Sequence, residues 1–156
     1  KLSGKAIKIL SAYLITGGPS YQYNTNDYVL VGDAGGQTKP TTGGGIIFGG
    51  IGGKIAGALA AQDALAAYNM EYYDRGPGKD LIQQVKIKEV YEMLNDSAIF
   101  KIAKVLHEKN ISFIEDEFDY HSKLIKKLLA DPALALNLAE IIPSVAFGYL
   151  KSLLFS

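Results

Sequence analysis

The residues best suited to chemistry are a carboxylate and a set of glycines between an apolar run and a helix. Asp33 follows the run YVLVG at 28–32, and the loop DAGGQTKPTTGGG at 33–45 precedes a segment of helical periodicity. Carboxylates at the end of a buried strand commonly accept hydrogen bonds from sugar hydroxyls. Helix N-termini attract anions, and glycines let a ligand approach the backbone closely. This stretch predicts contact with a phosphate or with the anionic edge of a cofactor.

The glycines also allow a packing interpretation. Glycine recurs every four residues from the end of the loop, at Gly45, Gly49, Gly53 and Gly57. That spacing would line one helix face and let another helix pack closely. A membrane span is a third interpretation, and Lys54 and Asp63 argue against it. The segment matches neither the P-loop nor the GxGxxG fingerprint, so local pattern leaves helix packing and cofactor contact open.

The elements that must position this loop are two strands and a series of helices. Strands are predicted at 6–15 and 28–32, joined by a loop rich in Gly, Pro, Ser and Asn. Apolar residues at helical spacing predict a long helix from Gly45 to about Tyr73, which DRGPGKD at 74–80 ends. Further helices are predicted at 79–94, 96–110, 115–130 and 131–142, with 143–155 continuing or kinking the last.

This order of elements predicts part of a larger α/β protein. Two strands cannot form a stable sheet alone, so the fold class is expected to be an α/β fragment that is predominantly helical. Residues 1–78 are expected to form the C-terminal part of a binding domain, with the strands, the glycine loop and the long helix. Residues 79–156 are expected to form a helical C-terminal region.

The composition excludes several classes of protein. The chain has 156 residues and is 48% hydrophobic, which is enough to bury a core. Sixteen basic and sixteen acidic residues balance, which argues against a dedicated nucleic-acid binder. The absence of cysteine excludes disulfides and thiolate sites, and no metal site is predicted. The first residues lack the apolar core of a secretory signal, so an intracellular protein is expected.

The remaining candidate residues receive structural interpretations. His107 and His121 are expected to be surface or capping histidines, and the acids of EDEFD at 115–119 to be solvated partners of a helix dipole. The apolar stretch 134–155 is expected to close the core, with a membrane-surface or lipid-tunnel role as the alternative. Three tyrosines after the long helix are expected to pack rather than catalyse: Tyr68, Tyr72 and Tyr73.

The stretch VLVGDAGGQTKPTTGGGI, residues 29–46, closely resembles the C-terminal flavin-binding motif of the geranylgeranyl reductase family. These are FAD-dependent flavoproteins related to p-hydroxybenzoate hydroxylase. The distinctive part is KPTTGGGI, which differs from the loop of the aromatic hydroxylases. The resemblance includes the following helix and is faint over 79–156. The family's GxGxxG element and its aromatic, Pro-containing substrate motif are absent, so the chain resembles the C-terminal portion only.

The resemblance implies an FAD site on this loop, in the last strands and flavin-contacting helix of an FAD-binding domain. Asp33 would hydrogen-bond the ribityl chain, and Gly45 and Ile46 would place backbone N–H groups near the pyrimidine edge of the flavin. Residues 40–44 would pass beside the isoalloxazine ring. No catalytic residue or metal ligand is predicted. The implied cofactor-binding residues are Gly32, Asp33, Pro40, Gly43, Gly44, Gly45 and Ile46.

The activity implied by the resemblance is reduction of carbon–carbon double bonds in polyprenyl chains, such as archaeal di-geranylgeranyl glycerolipids, by hydride transfer from reduced flavin. Implied partners are the polyprenyl lipid and the N-terminal half of the flavoprotein, in the same or a separate chain. A cytoplasmic location with peripheral membrane contact is expected, without nucleic acid. The alternatives are a flavin-dependent monooxygenase or halogenase, and a non-catalytic helical, membrane-associated subunit held together by its glycine face.

Overall fold

The computed structural model describes residue 8 and residues 11–108, 119–143 and 146–148. This part of the chain is predominantly helical, as predicted. Its α-helices are α1 Ile46–Ala60, α2 Gly78–Glu92, α3 Asp96–Glu108, α4 His121–Ala130 and α5 Pro132–Ile141. Tighter 3-10 turns lie at Tyr21–Tyr23, Gly32–Gly35 and Leu65–Ala67, and a wider π turn at Met70–Asp74.

The two predicted strands are not confirmed. In the segment 6–15, residues 6, 7, 9 and 10 lie outside the described residues, and 11–15 form no strand. In the segment 28–32, Val31 has extended backbone angles but no paired neighbour among the described residues. The N–H of Leu30 donates instead to Asn24 Oδ1 at 2.8 Å. A strand requires ladder hydrogen bonds to another strand, so the apolar run here is an extended segment, and the flavoprotein sheet stays a prediction.

The long helix predicted from Gly45 to Tyr73 is wrong in its second half, because the chain turns after α1. Asp63 has φ +53°, in the left-handed region that a short polar side chain tolerates better than most. The turn folds the following residues back along α1. The hydroxyl of Tyr72 donates to the carbonyl oxygen of Phe48 at 3.0 Å.

The later helices lie close to their predicted limits. α3 begins at Asp96 as expected, but its first turn is capped by Asn95, whose Oδ1 accepts the N–H of Ala98 at 2.9 Å. The predicted helix 115–130 is described only from residue 119, and α4 begins at His121. Asp131 caps α5: its carboxylate accepts the N–H groups of Ala133 and Leu134.

The last predicted segment, 143–155, is described only in part. The extended backbone of Ile142 ends α5, and residues 146–148 are helical. Residues 144–145 and 149–155 lie outside the described residues. No helix in the described ranges is both long enough and apolar enough to cross a membrane.

Two groups of buried side chains hold these elements together. The tyrosine cluster joins α1, the π turn and the start of α2 through Phe48, Tyr68, Tyr72, Tyr73 and Leu81. The aliphatic cluster joins α2, α4, α5 and the residues after α5 through Ile87, Val90, Leu128, Leu134, Leu138, Ile142 and Ala146. Helix α2 contributes to both clusters. The domain boundary at 78/79 stays a prediction.

Candidate functional site

The glycine loop, residues 32–45, ends in a closed turn immediately before α1. The N–H of Gly43 donates to the carbonyl oxygen of Lys39 at 2.8 Å, and the N–H of Lys39 donates to that of Gly44 at 2.9 Å. Gly43 has φ +78°, which favours glycine at this position. The turn delivers Gly45 to the N-cap position of α1, where glycine has no side chain with which to cap the helix.

A buried amide fixes the first half of the loop. Gln37 is fully buried, and its Oε1 accepts the N–H of Gly32 at 2.9 Å. Its Nε2 donates to the hydroxyl of Tyr68 at 2.6 Å. This arrangement ties the loop to the tyrosine cluster. Sequence reasoning missed Gln37, because a glutamine within a polar, glycine-rich loop gives no indication that it is buried.

The loop and the N-terminus of α1 form a shallow cavity of about 370 Å³, which we call the α1 cleft. Asp33 is exposed at this cleft, and its Oδ1 accepts a hydrogen bond from the Thr38 hydroxyl at 2.9 Å. Ile46 is 90% exposed, so an apolar side chain stands unburied beside a carboxylate and an uncapped helix end. The cleft is lined by Leu14, Asp33, Gly43, Gly45, Ile46, Gly49 and Gly50.

The cleft brings together four of the seven predicted cofactor-binding residues, and the other three do not line it. Gly32 lies against Gly49, which lines the cleft: a Cβ added at Gly49 would come within 3.1 Å of the Gly32 Cα. Gly44 is exposed. Pro40 is buried and does not line the cleft. The cofactor-binding role of the set stays a prediction.

Within the described residues, two glycines of the glycine face of α1 lie against residues 31–32 rather than against another α-helix. Gly49 faces Gly32, and a Cβ added at Gly53 would lie 3.8 Å from the Val31 side chain. Among the residues that the structure describes, nothing lies within 4 Å of a Cβ added at Gly57. The most crowded glycine of α1 lies outside the four-residue spacing: a Cβ at Gly52 would clash with Gln37 and would lie 2.9 Å from the Tyr68 hydroxyl.

A second polar network connects the loop to the C-terminal helices. The buried Lys39 Nζ lies 2.8 Å from Asp119 Oδ1. The Thr41 hydroxyl lies 2.5 Å from His121 Nδ1 and 3.0 Å from Gln84 Oε1. Asp119 is therefore an ion-pair partner of Lys39, and His121 contacts the loop. These partners lie 80 residues apart in sequence, so local pattern could not reveal them.

The three tyrosines behind the loop pack, as predicted. Burial raises the pKa of Tyr68 to about 12, although the hydrogen bond from Gln37 lowers that pKa by a smaller amount. Burial also raises the pKa of Tyr72 and of Tyr73. The rings of Tyr68 and Tyr72 are stacked with centroids 5.5 Å apart. These phenols are neutral at physiological pH. Among the described residues, no group of His, Asp and Glu could hold a metal ion.

Comparison with known proteins gives several curated relatives, although no family model and no solved structure matches the chain. Digeranylgeranylglycerophospholipid reductase 1 of Methanothermobacter thermautotrophicus is 32% identical over 134 residues, which are 80% of this chain and 32% of the relative. The digeranylgeranylglycerophospholipid reductase of Methanocella arvoryzae is 32% identical over 149 residues, 89% of this chain and 36% of the relative. That of Methanospirillum hungatei is 30% identical over 149 residues, 88% of this chain and 36% of the relative.

These similarities confirm the resemblance to geranylgeranyl reductases and the relationship to oxidoreductases, because the relatives are named as reductases. They cover most of the chain, including the helical region where the motif resemblance is faint. The chain spans only 32% to 36% of the length of these three relatives.

Proposed function

We propose that this chain forms the flavin-facing C-terminal part of an FAD-dependent reductase that hydrogenates isoprenoid double bonds in polyprenyl lipids. The α1 cleft is the observation that carries the proposal, because it joins a carboxylate, closely approachable backbone and an uncapped helix N-terminus in one place. The motif resemblance at 29–46 and the names of the relatives support the same function.

The residues of the cleft fit FAD. A side chain at Gly45 would bring a Cβ within 3.2 Å of both Asp33 Oδ1 and Thr38 Oγ1, so glycine keeps the backbone open beside the carboxylate. Asp33 is exposed and can accept hydrogen bonds from the ribityl hydroxyls, while Thr38 orients it. The N–H groups of Gly45 and Ile46 and the positive end of the α1 dipole favour the anionic, reduced form of the flavin.

The chemistry is a two-electron reduction. FAD held at this cleft would supply, once reduced, a hydride for one carbon of the double bond; the other carbon would take a proton, and an external two-electron donor would restore the reduced cofactor. The chain's own residues bind and orient. The exposed side chains of Leu14, Ile46 and Ile47 offer apolar contact to a prenyl chain and exclude water from the reacting bond.

The proposal requires partners beyond this chain. The α1 cleft contacts the ribityl and flavin ends of FAD, so an N-terminal half, in the same or a separate polypeptide, supplies the remaining contacts. A polyprenyl substrate fits a cytoplasmic enzyme that docks on the membrane surface.

The test combines a visible absorption spectrum and an intact mass of the purified flavoprotein with an anaerobic assay on a geranylgeranyl lipid. We expect flavin bands and a product that gains two hydrogens per reduced bond by mass spectrometry. A complete protein without flavin absorption would contradict the proposal. So would an enzyme that adds oxygen to the lipid in air and yields no reduced lipid under anaerobic conditions.

A further inference from the structure

A second, larger cavity of about 520 Å³ lies where α1, the start of α2 and the start of α4 meet. We call it the basic cavity. Ile51 of α1 and the Tyr120 ring form part of its apolar wall. Ser122 also lines the cavity, and the charged residues at its wall are Arg75, Lys79, Asp80, Lys123 and Lys126.

The described wall of this cavity carries four cationic side chains and one carboxylate. That carboxylate, Asp80, is only 6% exposed, and both its oxygens are engaged by neighbours. Its Oδ2 accepts the Gln84 amide at 2.6 Å, and its Oδ1 accepts the N–H of Ser122 at 3.2 Å as well as the Ser122 hydroxyl. The excess charge of the wall is therefore positive.

Two of these cations stand at helix ends where they oppose the helix dipole. Lys79 lies in the first turn of α2 and Lys123 in the first turn of α4. Positive charge at a helix N-terminus is unfavourable, and two such termini converge here with cations on both. Asp80, which also lies in the first turn of α2, accepts the N–H of Ser122 in α4 and offsets part of this cost. Lys123 Nζ lies 4.2 Å from the centre of the Tyr120 ring, which does not neutralise it. A bound anion would lower the remaining electrostatic cost at both helices.

A third cation of the wall, Arg75, is available to an anion. Arg75 pairs with Glu71 at 3.1 Å, but its side chain is 66% exposed, and such surface pairs contribute little. A guanidinium can turn from an exposed carboxylate to a phosphate, which it binds through two parallel hydrogen bonds.

We propose that the basic cavity binds the phosphate group of a glycerophospholipid, and so anchors the polar end of the prenyl substrate. This inference rests on the proposed function. Helix α1 carries both sites: Ile46 at the α1 cleft and Ile51 at the basic cavity are five residues apart, about 7.5 Å along the helix. A lipid held by its phosphate in the basic cavity has apolar side chains beside it and the α1 cleft within reach of its prenyl chain.

The test uses the complete flavoprotein that contains this chain, with the double variant Lys79→Gln/Lys123→Gln. The control is Lys104→Gln, which removes one positive charge from an exposed site on α3 outside the cavity. The substrates are a geranylgeranyl glycerol phosphate lipid and the same lipid with a free hydroxyl in place of the phosphate. KM, kcat and the flavin spectrum are measured for each. Because the two lysines oppose the helix dipoles, their removal does not threaten folding.

The double variant should raise the KM for the phosphate lipid at least about tenfold, since a charge-assisted contact is lost at each position. Its kcat, its flavin spectrum and its KM for the dephosphorylated lipid should stay at the wild-type values, as should every value for Lys104→Gln. Equal KM changes for both lipids, or no change, would overturn the proposal. A raised KM for the electron donor in place of the lipid would assign the phosphate to the donor and would also overturn it.

A binding measurement separates this inference from the proposed function. Sedimentation with vesicles of the phosphate lipid and of its dephosphorylated form does not require turnover. The wild-type protein could bind the phosphate lipid and reduce no prenyl lipid, while the double variant loses the binding. That result would support the phosphate site and refute the reductase proposal. Reductase activity on both lipids with no phosphate-dependent binding would refute the site alone. Inorganic phosphate that releases the wild-type protein from vesicles would support a phosphate contact over a general attraction to membranes.

Discussion

The glycine loop and the aliphatic cluster hold their shapes by different physical means. The loop is fixed by individual hydrogen bonds that the Gln37 and Thr38 side chains make within it, and by glycines at positive φ. The surface that it offers to a ligand is therefore mostly backbone. The aliphatic cluster is fixed by many interchangeable apolar contacts among α2, α4 and α5. Changes in the cluster should therefore lower stability and leave ligand affinity unchanged, whereas changes in the loop should act on ligand affinity.

The two regions are nevertheless joined. Helix α2 contributes Leu81 to the tyrosine cluster and Ile87 to the aliphatic cluster, and Gln84 between them contacts Thr41 of the loop. The C-terminal helices thus support the loop from behind, through α2 and through the Lys39–Asp119 pair.

The largest effect is expected from breaking the aliphatic cluster with Leu138→Ala. Leu138 is 5% exposed, and the lost contacts and the cavity left behind should lower the free energy of unfolding by about 2–5 kcal/mol. The matched control Leu136→Ala, at a 68% exposed leucine of the same helix, should change it by less than about 0.5 kcal/mol. Urea unfolding followed by circular dichroism measures both. Equal effects of the two variants would show that the cluster is not packed as described.

The support behind the loop is tested by Gly52→Ala. The new methyl group would meet buried Gln37 and Tyr68, and such overpacking typically costs about 1–3 kcal/mol. On the same helix, Gly57→Ala meets nothing within 4 Å and should stabilise the helix by roughly 0.5–1 kcal/mol. Thermal unfolding of the pair should move in opposite directions. A shift of the same sign in both would refute the close contact between α1 and Gln37.

The tyrosine cluster makes a pH-dependent contribution to stability. Because the pKa of Tyr68 is raised from 10.0 to about 12 in the fold, the unfolded chain loses this proton at lower pH than the native one. The stabilisation is complete below pH 10 and is lost as pH rises from 10 to about 12. Urea unfolding across this window should show a shallower decline for Tyr68→Phe than for the wild type. The control Tyr91→Phe, at an exposed tyrosine, should decline like the wild type, and three indistinguishable slopes would contradict the account.

A smaller effect, on affinity alone, is expected from Asp33→Asn. The variant keeps an oxygen to accept the Thr38 hydrogen bond but loses the negative charge that strengthens bonds from ribityl hydroxyls. We expect about tenfold weaker FAD binding by the flavoprotein, with an unchanged unfolding midpoint, since Asp33 is exposed. Asp27→Asn, at another exposed aspartate, serves as the control. Tight FAD binding by Asp33→Asn would remove Asp33 from the proposed site.

Local pattern predicted the parts of this molecule that depend on neighbouring residues. The later helices, the start of the last one at 131–132 and the placement of glycines before α1 all follow from periodicity and turn chemistry over a few residues. The break at Asp63 was missed, because the apolar and alanine-rich pattern continues through a residue whose backbone turns left-handed.

Contacts between distant residues could not be predicted in this way. The burial of Gln37 depends on Tyr68, 31 residues away, and the pairing of Lys39 with Asp119 spans 80 residues. The run 28–32 was predicted as a strand from its apolar side chains, but strand formation depends on a neighbouring strand, which the run does not identify.

The central claim is that the backbone at the N-terminus of α1 forms one wall of an FAD site, and flavin titration of Gly45→Ala tests it most directly. An added Cβ at Gly45 would crowd Asp33 and Thr38 at 3.2 Å and cover the backbone of the α1 cleft, whereas Gly57→Ala alters the same helix away from the cleft. By absorbance titration of the flavoprotein we predict at least about tenfold weaker FAD binding for Gly45→Ala, and wild-type binding for Gly57→Ala. Wild-type affinity in Gly45→Ala would contradict the account.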